Sequence, residues 1–114
     1  MTDCIFCKIV AGEIPSTLVY TDEMTTAFRD INPVAPTHVL IIPKKHVESI
    51  NDLTAEDEAL VGHLVTTAKK IAADEGIADT GYRLIMNCGP DGGQVVYHLH
   101  LHLIGGQRMR HPMG

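Results

Sequence analysis

The alternating segment His98-Leu-His-Leu-His-Leu-Ile104 constrains this chain more than any other part of its sequence. Because successive side chains of an extended strand point to opposite faces, the pattern predicts a strand with His98, His100 and His102 on one face and leucines on the other. Alternate side chains on a strand lie roughly 7 Å apart, so neighbouring imidazoles can address different atoms of one small substrate. The leucine face is continuously apolar and a glycine-rich loop precedes the segment, which favours a functional histidine face over a solvated one.

Composition limits the classes of protein to consider. The 114 residues are 45% hydrophobic and 20% charged, which predicts one globular domain over residues 1–114. The net charge of −5 argues against a nucleic-acid-binding protein, but not against a pocket for a single nucleotide. No apolar run approaches the ~20 residues that span a bilayer, and the first residues do not resemble a secretory signal. We therefore expect a cytoplasmic location, with no membrane and no nucleic acid as partner.

The other elements predict an antiparallel α+β fold. Residues 5–9 are expected to form a short helix that ends near Gly12, and residues 17–20, 25–28, 37–42 and 82–88 are expected to form strands. A turn at Asp22-Glu23 joins the first two strands, and Pro43 stops the third. Since one long helix lies between the strands and no βαβ alternation is visible, an antiparallel sheet with the helix on one face is favoured.

The long helix has clear start and stop signals. Thr54 is predicted to cap its first turn, with Asp57 three residues later as the reciprocal acid, and Gly76 is predicted to end it. Apolar residues recur at helical spacing and predict one buried stripe. The members of this stripe are Leu60, Val61, Leu64, Val65, Ala68, Ile71 and Ala72.

The loop before the histidines favours phosphate chemistry. Gly92 and Gly93 let the main chain approach an anion closely, their N–H groups can cradle a phosphate, and Gln94 adds a neutral donor. An unprotonated imidazole placed beside phosphorus is a competent nucleophile, and a neighbouring protonated one can stabilise or protonate the leaving group. The strand contains no serine or cysteine that could attack instead.

Metal binding is the competing use of these histidines. Three imidazoles in line on one strand do not converge on a tetrahedral ion, so two strand ligands with others from elsewhere are more plausible. Cys4 and Cys7 have zinc-knuckle spacing and need two further ligands, for which His46 and one histidine of the strand are candidates. Packed or idle thiols are the alternative for this pair. We interpret the lone Cys88 as a small buried hydrophobic residue.

Five segments of this chain resemble the histidine-triad (HIT) superfamily, and the tail over residues 105–114 resembles its Hint branch. The matching segments are His98 to Ile104, Cys4-Ile-Phe-Cys7, Ala27-Phe-Arg-Asp30-Ile31-Asn-Pro, Pro36-Thr-His38 through Lys-Lys-His46, and Asp91-Gly-Gly-Gln94. The resemblance implies a five-stranded antiparallel sheet with one long helix, in a homodimer whose two sheets join. It also implies an enzyme, a phosphoramidase that hydrolyses purine nucleoside 5′-phosphoramidates to a nucleotide and an amine.

The resemblance also implies roles for individual residues. His100 matches the nucleophile, His102 a histidine that contacts the phosphate, and His38 a fourth histidine that completes a proton relay with the triad. The implied nucleotide-binding residues are Asp30 for the ribose hydroxyls, Ile31 for the base, and Asn87, Gly93, Gln94 and Val95 near the ribose and phosphate. The implied ligands of a structural zinc ion are Cys4, Cys7, His46 and His98.

Several of these residues have ordinary structural alternatives. Asp30 could start a turn, Ile31 and His38 could belong to the core, and Asn87 could end a strand. His63, on the polar side of the helix, is expected to be a surface residue. His98 carries a conflict, because a zinc ligand cannot also act freely in the relay.

Two positions depart from the Hint pattern. Val95 replaces a frequent serine, which removes a hydroxyl from the phosphate site, and His111 replaces a frequent tryptophan, which bears on specificity for the amine. Arg108 and Arg110 of the same tail are candidates for steering an anionic substrate. Two other functions stay open at this stage: hydrolysis of dinucleoside polyphosphates, and a non-catalytic adaptor that only binds nucleotides.

Overall fold

The computed structural model describes residues 4–112, which form one sheet with helices on both of its faces. The ends of the predicted domain, including the last two residues of the Hint-like tail, lie outside this range. The helices are α1 (Ile5–Val10) and α2 (Glu58–Asp74). The strands are β1 (Leu18–Thr21), β2 (Thr25–Arg29), β3 (Thr37–Pro43), β4 (Tyr82–Ile85) and β5 (Leu101–Gly105).

The sheet has the predicted antiparallel arrangement. Its order is β1-β2-β3-β5-β4, so β3 lies at the centre and β1 and β4 form the edges. In the β3–β5 pair, Leu40 lies opposite His102 and Val39 lies opposite Leu103. Because paired residues point to the same face, this register places His102 on the face of Leu40 and the leucines of β5 on the face of Val39.

The two faces of the sheet bury different clusters. The face that packs on α2 carries the main core, built from Ala27, Val39, Ile41, Leu64, Ala68, Ile71, Ala72, Leu99, Leu101 and Leu103, with Val47 and Ile77. The opposite face carries a smaller cluster of Phe6, Phe28, Leu40 and Ile42 and is covered in part by α1. The period of two in β2, β3 and β5 therefore separates an aliphatic core from a face that mixes aromatic rings and histidines.

The signals that start and stop α2 are confirmed, with one shift. Thr54 and Asp57 form the predicted capping box, but the box opens a 3-10 turn over Ala55–Asp57 that leads into the α-helix at Glu58. The helix ends before Gly76, whose φ is +77°. The prediction that Val65 belongs to the buried stripe is wrong: its side chain is 44% exposed, because the face that meets the sheet is narrower than the run of apolar residues.

The histidine strand is shorter than predicted. β5 begins at Leu101, so His98, Leu99 and His100 precede it. The N–H of Leu99 donates to the carbonyl of Val47 at 2.7 Å, outside the ladders of the sheet, and the chain bends at His98. β4 likewise ends at Ile85, three residues before the predicted end. Between residues 4 and 112, no helix is long and apolar enough to cross a membrane.

Candidate active site and metal centre

A cleft of about 520 Å³ opens on the histidine face of the sheet. This volume lies within the range of small-molecule sites. Its walls come from α1, from the ends of β2 and β3, and from the loop between β4 and β5. The predicted site residues that line it are Asp30, Ile31, His38, Asn87, Gly93, Val95, His100 and His102. Apolar walls are supplied by Phe6, Phe28, Leu40 and Val96.

The hydrogen bond made by His100 fixes which of its nitrogens is available. Nδ1 of His100 lies 2.7 Å from the backbone carbonyl oxygen of His98. Because a carbonyl only accepts, Nδ1 carries the proton, and Nε2 of the neutral ring keeps its lone pair. The ring is 8% exposed and meets the edge of Phe6 at 5.2 Å between centroids. The ring of His100 is therefore fixed in position, with its unprotonated Nε2 beside the cleft.

A chain of hydrogen bonds places the proton of His102 on Nε2, the nitrogen that is unprotonated in His100. The backbone N–H of Val34 donates to Nδ1 of His38 at 3.2 Å, so the proton of neutral His38 is on Nε2. That nitrogen lies 3.0 Å from Nδ1 of His102, which must therefore accept. Neutral His102 then carries its own proton on Nε2. The cleft thus combines a ring with a free lone pair, His100, and a ring with a free N–H donor, His102, at 5.0 Å between centroids.

Burial favours the neutral forms of His38 and His102. Burial, together with the neighbouring His100 and His38, lowers the pKa of His102 to about 4. Burial also lowers the pKa of His38, and the carboxylate of Asp30 opposes this change. The His38–His102 pair therefore requires a nearby negative charge to hold an additional proton.

Asp30 follows β2 and is tied into the same network. Its Oδ1 accepts the backbone N–H of Asn32 at 2.7 Å, and its Oδ2 lies 3.5 Å from Nε2 of His38. Asp30, His38 and His102 are close enough to be considered as metal ligands. The donated bond from Val34 speaks against that use, because it places the proton of His38 on the nitrogen that would have to bind the ion.

The loop before the histidines is held by its own hydrogen bonds. A side chain on Gly92 would collide with the backbone of Cys88, and Gly93 has a φ of +83°, so both positions favour glycine. The N–H of Gly93 donates to the carbonyl of Pro90 at 3.0 Å. Val95 is 86% exposed at the mouth of the cleft, as is Ile31 at 90%. These two side chains give the cleft an apolar rim.

Gln94 is the one predicted nucleotide residue that does not line the cleft. Its Oε1 accepts the N–H of Gly89 at 3.0 Å, and its Nε2 donates to the carbonyls of Glu48 at 2.7 Å and Val96 at 3.1 Å. The side chain is 6% exposed. In this structure Gln94 therefore braces the glycine loop.

Four potential metal ligands converge on the far side of Phe6. They are Cys4, Cys7, His46 and His98, and their ligand atoms all lie within 4.8 Å of one another. Nδ1 of His98 lies 3.3 Å from Sγ of Cys4 and 3.6 Å from Sγ of Cys7, and Nδ1 of His46 lies 3.3 Å from Sγ of Cys7. Ligands around a tetrahedral zinc ion are about 3.3–3.8 Å apart, given bonds of roughly 2.0–2.3 Å. The cluster therefore fits such an ion.

The conflict at His98 is resolved by the orientation of its ring. Nδ1 faces the two thiols, and Nε2 donates to the carbonyl of Pro43 at 2.8 Å. A bond from the second nitrogen to a carbonyl is the usual support for a histidine ligand. The residue is fully buried and is absent from the lining of the cleft. Both nitrogens of His98 are thus engaged away from the cleft.

Several contacts were not expected from the sequence. His63 is not a plain surface residue: its Nε2 lies 2.7 Å from Oδ2 of Asp22, which also accepts the hydroxyl of Tyr20 at 2.8 Å. Cys88 is only partly buried. Phe6 and the backbone of Val34 are not among the predicted site residues, although the position of Phe6 between Cys4 and Cys7 places it beside the cluster.

The tail residues lie apart from the histidine cleft in the single chain. Arg108, Arg110 and His111 line a second cavity of about 380 Å³, together with Arg83 of β4. Nη2 of Arg83 donates to the carbonyl of His111 at 3.1 Å, which holds the tail against β4. Val34 borders both cavities.

Fold and site together define a small α+β protein with an imidazole-lined cleft on one sheet face and a separate Cys₂His₂ cluster. A family model for the HIT domain matches residues 11–109. The purine nucleoside phosphoramidase of Escherichia coli K12 is 56% identical over 112 residues, which are 98% of this chain and 91% of that protein.

Solved structures agree with this assignment. A HIT family hydrolase from Legionella pneumophila is 54% identical, with a TM-score of 0.95 over 98% of this chain and 100% of that chain. A histidine triad protein from Clostridium difficile is 50% identical, with a TM-score of 0.95 over 97% of this chain and 96% of that chain. The chain therefore belongs to the HIT family, and its resemblance to the phosphoramidase-like Hint branch is confirmed.

Proposed function

We propose that this protein is a hydrolase of purine nucleoside 5′-phosphoramidates that forms a covalent nucleotidyl intermediate on His100. The observation that carries this proposal is the hydrogen bonding of the two cleft histidines, from which opposite placements of their protons follow. His100 offers a lone pair held in place by the carbonyl of His98, and His102 offers an N–H 5.0 Å away between ring centroids. Membership of the HIT family and the identity to a named phosphoramidase support the same reaction.

The proposed reaction has two displacement steps at phosphorus. In the first, Nε2 of His100 forms a bond to phosphorus while the P–N bond of the substrate breaks, and the departing amine takes a proton from the His38–His102 pair. In the second, water attacks phosphorus, the bond to Nε2 breaks, and a proton of the water returns to the pair. The products are a nucleoside monophosphate and an amine, and the enzyme is regenerated.

The remaining cleft residues would bind the nucleotide. Asp30 would accept hydrogen bonds from the ribose hydroxyls, and Ile31 would cover the base. Asn87 and Gly93 would lie near the ribose and phosphate, with Val95 contributing its main-chain N–H. Gln94 would act through the loop that it braces rather than by touching the ligand.

We also propose that Cys4, Cys7, His46 and His98 bind a structural zinc ion. The ion would supply no chemistry to the cleft, since all four ligands would close its coordination shell. Its support is the fit of the ligand atoms and the bond from His98 to Pro43. Zinc binding requires reduced thiols, which accords with the cytoplasmic location expected from the sequence.

A homodimer joined through β4 is the third part of the proposal. Within residues 4–112, β4 is an edge strand of the sheet and pairs with β5 alone. A second copy that pairs with this edge would satisfy its unpaired backbone groups and would extend the sheet across both chains. The apolar side chain of Ile85 and the adjoining second cavity would then be covered.

The substitution His100→Ala tests the proposed function. It should lower the turnover of an adenosine 5′-phosphoramidate by about a thousandfold or more, while the affinity for adenosine monophosphate changes little. Lys69→Ala, on the exposed side of α2 and outside the cleft, is the control. Equal turnover in His100→Ala and wild type would remove His100 from the mechanism.

A substrate panel separates the other candidate functions. Faster turnover of a diadenosine polyphosphate than of every phosphoramidate would instead indicate a dinucleoside polyphosphate hydrolase. Nucleotide binding without turnover across the whole panel would indicate an adaptor.

A further inference from the structure

Asp30 faces two partners at once. Its position beside the cleft suits a contact with the ribose, and the proposed function assigns it that contact. Its Oδ2 also lies 3.5 Å from Nε2 of His38, the nitrogen whose proton is shared with His102. The side chain is held in this position, because Oδ1 accepts the N–H of Asn32 at 2.7 Å and the N–H of Asp30 donates to the carbonyl of His38 at 3.0 Å.

The reaction requires the His38–His102 pair to carry a positive charge. Two neutral rings hold one proton each, and neither can release its proton to an amine without becoming an anion. The pair must therefore bind one additional proton before the P–N bond breaks. His38 is buried at 6% exposure and His102 is partly buried, so the cationic pair is poorly solvated by water. The titratable groups that face the pair are Asp30, from the end of β2, and His100, which precedes β5.

We propose that the carboxylate of Asp30 is the counter-ion of the protonated His38–His102 pair, in addition to its contact with the ribose. This inference rests on the proposed function, because the pair needs the additional proton only if an amine leaves. The direction of the effect follows from charge: a negative group beside His38 favours the protonated state and so favours departure of the amine. Sugar recognition and proton delivery would then share one side chain.

The two roles of Asp30 can be separated by removing the sugar hydroxyls. Asp30→Asn preserves the size of the side chain and the acceptor for Asn32, but removes the charge. On a 2′,3′-dideoxynucleoside phosphoramidate, the ribose role is already absent in the wild type. If Asp30 served only the ribose, Asp30→Asn and wild type would have equal kcat on this substrate.

We expect kcat of Asp30→Asn on the dideoxy substrate to be lower than that of wild type by on the order of tenfold. A charge about 3.5 Å away shifts a protonation equilibrium by about one pKa unit even at the dielectric constant of water. In a His38→Gln background, the same substitution should change kcat less than about twofold, since its target is gone. Glu23→Gln is the control: Glu23 is exposed in the turn at the opposite end of β2 and should leave kcat unchanged.

A second measurement does not depend on catalysis. In proton NMR titrations, the midpoint of the His38 Cε1–H signal should fall by on the order of one pH unit in Asp30→Asn and stay unchanged in Glu23→Gln. The same spectra show whether the variant is folded. An unchanged midpoint, or equal kcat on the dideoxy substrate, would overturn the inference while leaving the proposed function intact. Absence of phosphoramidate turnover in the wild type would instead overturn the proposed function, and the NMR midpoint would still decide whether Asp30 is the counter-ion.

Discussion

The backbone carbonyl of His98 accepts a hydrogen bond from Nδ1 of His100 at 2.7 Å. The ring of the same His98 faces Cys4 and Cys7, so one residue belongs both to the Cys₂His₂ cluster and to the support of the candidate nucleophile. Phe6, which lies between the two cysteines in α1, adds a second link, since its ring meets both His98 and His100 edge-on. We therefore expect a change in the geometry of the cluster to alter the position of Nε2 of His100.

Metal removal tests this connection. Protein purified without chelator should contain about one zinc ion per chain, and Cys7→Ser should lose it. If the free zinc concentration before chelation is a thousandfold above the dissociation constant, chelation should lower the free energy of unfolding by about 4 kcal/mol. It should also lower kcat, because the carbonyl of His98 loses its fixed position. Metal analysis, thermal unfolding and single-turnover kinetics measure these effects.

Cys88→Ser is the matched control for the metal prediction. Cys88 is the third free cysteine and lies outside the cluster, so this variant should keep its zinc and its response to chelator. A wild-type protein that contains no metal after expression in zinc-supplemented medium would contradict the prediction. Cys4 and Cys7 would then be ordinary packed side chains.

The contact between His63 and Asp22 predicts a pH-dependent stability. Burial opposes ionisation of Asp22, but hydrogen bonds from His63, the N–H of Met24, Tyr20 and the N–H of Thr25 together hold its pKa well below the usual range. The folded state thus stays ionised at a pH where the unfolded chain binds a proton. This contribution is fully present above the unfolded pKa of about 4 and is lost as the pH falls below it.

Substitutions at the same contact test that sign. His63→Ala should lower the free energy of unfolding by about 1 kcal/mol at pH 7, the size of one partly exposed hydrogen bond, and Asp22→Ala should lower it more. Urea denaturation at pH 7 and pH 3 should show a smaller effect of Asp22→Ala in acid. Lys69→Ala, on the exposed side of α2, is the control. An effect of Asp22→Ala that grew in acid would show that the sign is wrong.

We expect a substitution at Val95 to change kcat without changing the free energy of unfolding. Val95→Ser restores a hydroxyl beside the proposed phosphate site, and one additional hydrogen bond that forms in the transition state is worth about 2- to 10-fold in kcat. Because Val95 is 86% exposed, the unfolding free energy should change by less than about 0.5 kcal/mol. Val95→Ala removes the same methyl groups without adding a hydroxyl. If alanine and serine raise kcat equally, the hydroxyl is not the cause.

The edge strand β4 predicts the oligomeric state. Wild-type protein should have the mass of a dimer by light scattering at micromolar concentration. Ile85→Lys should shift this mass toward a monomer, because it places a charge at the proposed contact between edges. Thr66→Lys adds the same charge on the exposed side of α2 and should remain dimeric. A monomeric wild type would exclude pairing through β4.

Local sequence patterns determined most of the architecture. The capping signal at Thr54, the apolar spacing of α2 and the apolar run of β3 depend on neighbours within a few residues, so they can be interpreted without knowing the fold. The exception at Val65 shows the limit of such patterns. Periodicity identifies an apolar side of a helix, but the width of the sheet it meets decides how much of that side is buried.

The sequence by itself also determined which residue types the site would contain: histidines in alternation, a Cys-x-x-Cys pair and a glycine loop. Only the tertiary structure decided the state of each imidazole. The carbonyl of Pro43 and the N–H of Val34 determine which nitrogen of His98 and of His38 carries the proton. The side chain of Gln94 donates to the carbonyl of Glu48 and so holds the glycine loop in place. The physical reason is that a proton's position depends on which single atom lies within about 3 Å, and for His98 that atom belongs to a residue 55 positions away.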